Sequence, residues 1–178
     1  MISEKVKISI VLGTGRQGRF SEKVFKFVFD EVSKDKRFEV QSVDVRDFVF
    51  GVTDDSKKSD LALKWKNIVL SSHAFLFVSP EYNRSYPGEL KILIDSLFEE
   101  YKGKVAGICG VSSGGFGGVR MVEKLKSLFL VLGIRPVSTD INISFVEKEF
   151  GENDIPNNAS LYSKKINDTL DEIVEILN

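Results

Sequence analysis

The chain has 178 residues, 42% of them hydrophobic and 29% charged, with a formal net charge of −1 at pH 7. That balance suits one globular domain over residues 1–178 with a sizeable core, and supplies no broad positive field for nucleic acid or an anionic membrane. One cysteine and one histidine exclude an intramolecular disulfide framework and a zinc site built from soft ligands. The segment Met1-Ile2-Ser3-Glu4-Lys5-Val6 lacks a signal-peptide core and no apolar run approaches membrane-spanning length. A cytoplasmic, reducing location is therefore expected.

Val6 to Leu12 reads as a buried strand, and Gly13 to Ser21 as a glycine-rich turn carrying Arg16 and Arg19. Glu22 to Lys34 reads as an amphipathic helix, with Val24, Phe25, Val28 and Val32 on one face. Ser21 is its expected N-cap, which puts Phe20 and Phe25 at the spacing of a hydrophobic staple. Phe38 to Val45 is the second strand. Arg46 to Ser59 is a loop containing Asp47, Gly51, Asp54 and Asp55. Its Phe48 and Phe50 either cover a ligand or pack on the chain's own core. Leu61 to Ser72 is the second helix, with Trp65 read as core rather than as a stacking platform. His73 is read as solvated or backbone-bonded.

Ala74-Phe75-Leu76-Phe77-Val78 is a continuous apolar run, as in a central parallel strand buried on both faces. A polar, aromatic turn over Ser79–Gly88 follows, with Pro87 expected at the first position of the next helix. Leu90, Ile94, Leu97 and Phe98 mark that helix's buried side. Val105 to Val111 is the fourth strand, in which Cys109 is a small buried hydrophobe. Ser112 to Gly118 is a second glycine-rich turn, before a helix over Val119–Leu132. Arg135 to Ile143 is the fifth strand and Ser144 to Asn157 a long acidic loop. Leu161, Ile166, Leu170, Ile173 and Leu177 mark the closing helix.

Strands alternating with helices predict a doubly wound parallel sheet with helices on both faces. Five strands suit the flavodoxin-like order 2-1-3-4-5, whose switch point lies between strands 1 and 3. The ligand is then expected at the turns beginning at Gly13, Ser79 and Ser112. A glycine turn between strand and helix is an anion site, because free amides and the helix dipole converge there. Arg16, Arg19 and the hydroxyls of Thr14 and Ser21 add donors suited to a terminal phosphate. The nucleoside-triphosphatase loop is excluded, since Arg19 and Phe20 stand where it needs a lysine and a hydroxyl. Gly13, Gly15 and Gly18 match the spacing G-x-G-x-x-G, with Asp44 loosely placed as the acidic partner of a dinucleotide ribose.

Three stretches together resemble the NADPH-dependent FMN reductases, a family that includes related quinone, chromate and azo-dye reductases. They are Gly13-Thr14-Gly15-Arg16-Gln17-Gly18-Arg19-Phe20-Ser21, Ser79-Pro80-Glu81-Tyr82-Asn83-Arg84-Ser85-Tyr86-Pro87-Gly88-Glu89-Leu90-Lys91 and Ser113-Gly114-Gly115-Phe116-Gly117-Gly118-Val119-Arg120. The resemblance implies that Thr14, Arg16, Arg19, Phe20 and Ser21 hold the FMN phosphate. It implies that Pro80, Glu81, Tyr82 and Asn83 line the ribityl chain and ring, and that Ser113, Gly114 and Gly115 meet the pyrimidine end. It further implies a homodimer or dimer of dimers. Thr14 stands in place of the commoner serine, Ile92 and Leu93 replace a polar-small pair, and Ser113 replaces a frequent tyrosine.

The activity implied is ping-pong: hydride passes from NADPH or NADH to the flavin, then to free flavin, a quinone or another small-molecule electron acceptor. No protein nucleophile is needed, so no catalytic side chain and no metal is assigned. Glu81 is read as solvated or bonded across a subunit interface, and Arg120 as a surface helix residue. Two alternatives stand beside this reading. One is a non-enzymatic flavin electron carrier or redox sensor; the other is a Rossmann-type NAD(P)-binding enzyme without flavin.

Overall fold

The computed structural model describes residues 5–52, 59–152 and 154–178. Its strands are β1 (Val6–Leu12), β2 (Phe38–Asp44), β3 (Ala74–Pro80), β4 (Val105–Val111), β5 (Arg135–Pro136) and β6 (Ile141–Ile143). Its helices are α1 (Ser21–Lys34), α2 (Asp60–Ser71), α3 (Gly88–Asp95), α4 (Val119–Val131), α5 (Val146–Phe150) and α6 (Ala159–Leu177). The sheet order is β2-β1-β3-β4-β5, with β6 also on β4 and every pair parallel. This is the order expected from the strand count.

Strand side chains alternate between faces, and each face has its own helical cover. Ile8, Ile10, Leu76, Val78 and Cys109 pack with Val24 and Val28 of α1 and Ile166 and Leu170 of α6. Val11, Phe75, Phe77 and Ile108 pack with Trp65 of α2, Leu90 and Leu93 of α3, and Phe129 of α4. Trp65 is core, as read from the sequence, and its Nε1–H donates to the Tyr101 hydroxyl at 2.7 Å. His73 is backbone-bonded, its Nδ1 accepting the Lys7 N–H at 2.9 Å. Burial pushes the Cys109 thiol up, out of the reactive range. No described helix is long and apolar enough to cross a membrane.

Several local expectations are corrected. The fifth strand is in two pieces, because Glu172 of α6 takes the N–H groups of Ser138 (2.6 Å) and Thr139 (3.0 Å) and draws that stretch off β4. Ser21 is the first residue of α1 rather than its cap; Phe20, already helical (φ −63°, ψ −25°), precedes it. The Phe20–Phe25 staple frame is therefore lost and Phe20 is 40% exposed. Pro87 is the N-cap of α3 rather than its first residue. That helix stops at Asp95, and Phe98 lies outside the core, 51% exposed, while Tyr101 of the following 3-10 turn is buried instead. The expected acidic loop contains α5, whose Val146 and Phe150 are buried. Phe48 packs edge-on against Trp65 at 5.8 Å, and the half-buried Phe50 packs against the same core, the second of the two alternatives. Asp54 and Asp55 lie outside the described residues.

Candidate functional site

Parallel strands deliver the connections that follow them to one rim. Here the turns after β1, β3, β4 and β6 wall a cavity of about 440 Å³, within the range of small-molecule sites. Of the residues expected from sequence, Arg16, Arg19, Phe20, Ser21, Pro80, Glu81, Tyr82, Ser113 and Gly114 line it. Thr14, Asn83 and Gly115 do not. Thr14 is fully buried behind the wall, with its Oγ1 3.1 Å from the Tyr82 hydroxyl. Asn83 is exposed at the tip of a tight turn that it forms with Arg84, both with positive φ (50° and 66°). Gly115 lies under the Phe145 ring.

The two arginines of the first turn have different tasks. The Arg19 side chain is 3% exposed and forks onto both carboxylate oxygens of Asp44, with further bonds to Glu22 and the Thr14 carbonyl. Burial acts against the charge on Asp44, but the hydrogen bonds from Arg19 and the Arg46 N–H outweigh it and hold the carboxyl below its usual range. Arg19 is thus committed to the turn's architecture. Asp44 is equally committed, which removes the acidic partner that a dinucleotide ribose would need. Arg46 adds a second brace, donating to the carbonyls of Gly15 (3.1 Å) and Arg16.

Arg16, by contrast, is exposed, and its guanidinium has no hydrogen-bond or ion-pair partner among the described residues. Beside it, the Ser21 hydroxyl oxygen is buried with no hydrogen-bond partner among the described residues. The N–H groups of Gln17, Gly18, Arg19, Phe20 and Ser21 meet no acceptor among the described residues either. Buried polar groups are normally satisfied. An orphaned hydroxyl, free amides at the start of α1 and one free cation together fit a terminal phosphate group. These residues therefore suit the phosphate end of FMN.

The opposite wall contains residues that sequence reasoning set aside. Glu81 is bonded within the chain: its Oε2 accepts the Arg120 N–H at 3.2 Å, and its Oε1 lies 3.4 Å from the Arg120 guanidinium. It caps the second residue of α4 and occupies the positive end of that helix. Arg120 lines the cavity and lies over the Phe116 ring at 5.1 Å. The i, i+4 spacing of Phe116 and Arg120 was the available signal. Val146 and Glu147 also line the cavity. The rim rule, extended to the connection after the last strand, would have found them. The Ser112–Gly118 turn itself depends on Gly117 and Gly118 (φ 57° and 74°), where a side chain would also strike Asn142 and the Val111 backbone. Among the described residues, no group of three or more His, Cys, Asp or Glu is placed to hold a metal ion.

An NAD(P)H-dependent FMN reductase of Schizosaccharomyces pombe is 28% identical over 141 residues, covering 73% of this chain and 70% of that protein. A quinone reductase of Pseudomonas putida is 29% identical over 125 residues, 66% of each chain. In three dimensions the chain is similar to a solved flavoenzyme, the NAD(P)H:(acceptor) oxidoreductase FerB of Paracoccus denitrificans. Their TM-score is 0.83 at 24% identity, over 96% of this chain and 98% of that one. The flavodoxin of Pseudomonas aeruginosa shares the fold at a TM-score of 0.57 and 20% identity, over 91% of this chain and 99% of that one. The family model described as NADPH-dependent FMN reductase matches residues 6–148, which carry all three motif turns and every strand, and the chain belongs to that family.

Proposed function

We propose that the cavity holds FMN with its phosphate at Arg16, Gly18 and Ser21 and its ring end between Pro80–Tyr82 and Ser113–Phe116. The chain is an FMN-dependent NAD(P)H oxidoreductase. The observation that carries the placement is the buried Ser21 hydroxyl beside Arg16, neither of which has a side-chain partner among the described residues. When bound, the flavin supplies the two-electron chemistry, accepting hydride from NAD(P)H and returning the pair to a small acceptor.

The chain's own contribution is binding and orientation. Arg19, Asp44 and Arg46 fix the first turn before any ligand arrives, which lowers the ordering cost of binding. Tyr82, tied to Thr14, carries that order to the second wall. Glu81 holds Arg120 over Phe116, leaving a cationic, aromatic rim at the cavity. That rim suits an anionic nicotinamide dinucleotide or a flat acceptor such as a quinone or a free flavin. Exposed Phe98, Leu130 and Val131 supply apolar surface for a homodimer or a dimer of dimers, and the free buried Cys109 suits a reducing cytoplasm.

The test is an absorption titration of the protein with FMN, followed by anaerobic NADPH and then NADH. Saturable flavin binding with fast bleaching is expected. Binding without bleaching would favour an electron carrier, and absence of flavin binding would overturn the placement.

A further inference from the structure

The segment Ser144-Phe145-Val146, between β6 and α5, holds the second glycine turn by its carbonyls. The Val146 N–H donates to the Ser112 carbonyl at 3.1 Å, and the Phe145 N–H to the Gly114 carbonyl at 3.0 Å. The Ser144 hydroxyl donates to the Gly115 carbonyl at 3.0 Å. Phe145 is left-handed (φ 49°, ψ 46°), a conformation rare for a bulky side chain. Its ring lies against Gly115, where an added Cβ would come within 3.2 Å of Cζ. Three separate bonds and one disfavoured backbone conformation thus converge on one turn.

The consequence follows from the peptide plane. In a trans peptide the N–H points opposite to the C=O, and the described chain has no cis bonds. Holding the carbonyls of Ser112, Gly114 and Gly115 therefore turns the N–H groups of Ser113, Gly115 and Phe116 away from the segment. None of these three meets an acceptor among the described residues, and Ser113, Gly114 and Phe116 line the cavity.

We propose that Ser144–Val146 is a brace, with Phe145 as its positioning residue, that orients these three amides as donors to the electron-rich edge of the bound ring and so favours the reduced, more negative form. This rests on the flavin placement above. Fixed backbone donors stabilise developing charge because they need no reorganisation when it appears. Glu81 already occupies the positive end of α4, so the turn's amides rather than the helix dipole carry this role.

The experiment compares the wild type with Phe145→Ala, Phe145→Asn and Ser144→Ala, measuring FMN affinity by fluorescence quenching and the midpoint potential of bound FMN. Phe145→Ala removes the ring whose packing on Gly115 accompanies the left-handed backbone, and alanine has no preference of its own for that conformation. It should weaken binding of reduced relative to oxidised FMN at least tenfold, moving the two-electron potential about 30 mV negative. Asparagine tolerates the left-handed region, so Phe145→Asn should stay within about threefold of wild type. Ser144→Ala, which removes one side-chain hydrogen bond at a half-buried position outside helix and strand, should shift the potential in the same direction as Phe145→Ala. Unchanged potentials in both Phe145→Ala and Ser144→Ala, with flavin bound, would overturn the brace alone. A shift in Phe145→Asn equal to that in Phe145→Ala would overturn the backbone argument. Absence of FMN binding by the wild type would overturn the flavin placement and the brace with it. If Phe145→Ala does not fold, Ser144→Ala decides.

Discussion

Alanine at Arg16 and alanine at Arg19 should have opposite consequences, although the two residues sit three positions apart in the same turn. Arg16 is exposed and unpartnered among the described residues, so its removal leaves nothing unpaired in the protein. Melting temperature should stay within about 2 °C, as for a surface substitution. A charged donor to a phosphate is worth roughly 1.5–3 kcal/mol, so FMN should bind roughly 10- to 150-fold more weakly. Arg19→Ala instead strands the Asp44 carboxylate, whose side chain is 30% exposed. Breaking a fully buried pair costs about 3–5 kcal/mol; partial exposure of Asp44 lowers that to about 2–4 kcal/mol. For a chain of this size the melting temperature should fall by about 4–16 °C. Calorimetry and flavin fluorescence quenching on the two variants supply both numbers. Unchanged FMN affinity in Arg16→Ala would refute the assignment of phosphate recognition. So would an Arg19→Ala variant that keeps the wild-type melting temperature but loses the flavin.

The remaining predictions concern the same rim. Ser21→Ala removes a buried hydroxyl that has no partner among the described residues. It should leave unfolding by urea unchanged or slightly harder while weakening FMN binding by about 0.5–1.5 kcal/mol, read as a change in Kd. Gly13→Ala would place a Cβ 2.9 Å from Leu90 Cδ2 and 3.0 Å from Ser79 Cβ, both buried. Overpacking there should cost about 1–3 kcal/mol in chemical denaturation. The folded-state pKa of Asp44 lies below its unfolded value. Its stabilising contribution is therefore complete above about pH 4 and is lost as pH falls through the depressed value. The stability gap between wild type and Asp44→Asn should accordingly be constant from pH 7 to about pH 4 and shrink below it. A gap that widens in acid would show that the Arg19 pair is not the source.

The positions of the site's turns were legible because they depend on local chemistry. Gly13, Gly18, Gly117 and Gly118 mark tight turns or close approaches, and apolar runs such as Ala74–Val78 mark central strands. Those signals sufficed to order the sheet and to bring the turns at Gly13, Ser79 and Ser112 to one rim. Partner choice was not legible, because it depends on residues far apart in the chain. Nothing near Arg19 announces that its guanidinium is taken by Asp44, 25 positions on, so two arginines looked equivalent until one was seen to be buried. Glu81 looked like a solvated or interface carboxylate because its partner, Arg120, lies 39 positions away.

The sequence by itself determined the doubly wound order, the family and the rim where the motif turns meet, since periodicity, glycine placement and short motifs are local properties of the chain. Only the tertiary structure decided which donors remain free for a ligand. Hydrogen-bond capacity is finite, and every group spent inside the protein is unavailable outside it. Arg19 and Glu81 are spent; the Arg16 guanidinium, the Ser21 hydroxyl and the amides at Ser113, Gly115 and Phe116 have no partner among the described residues.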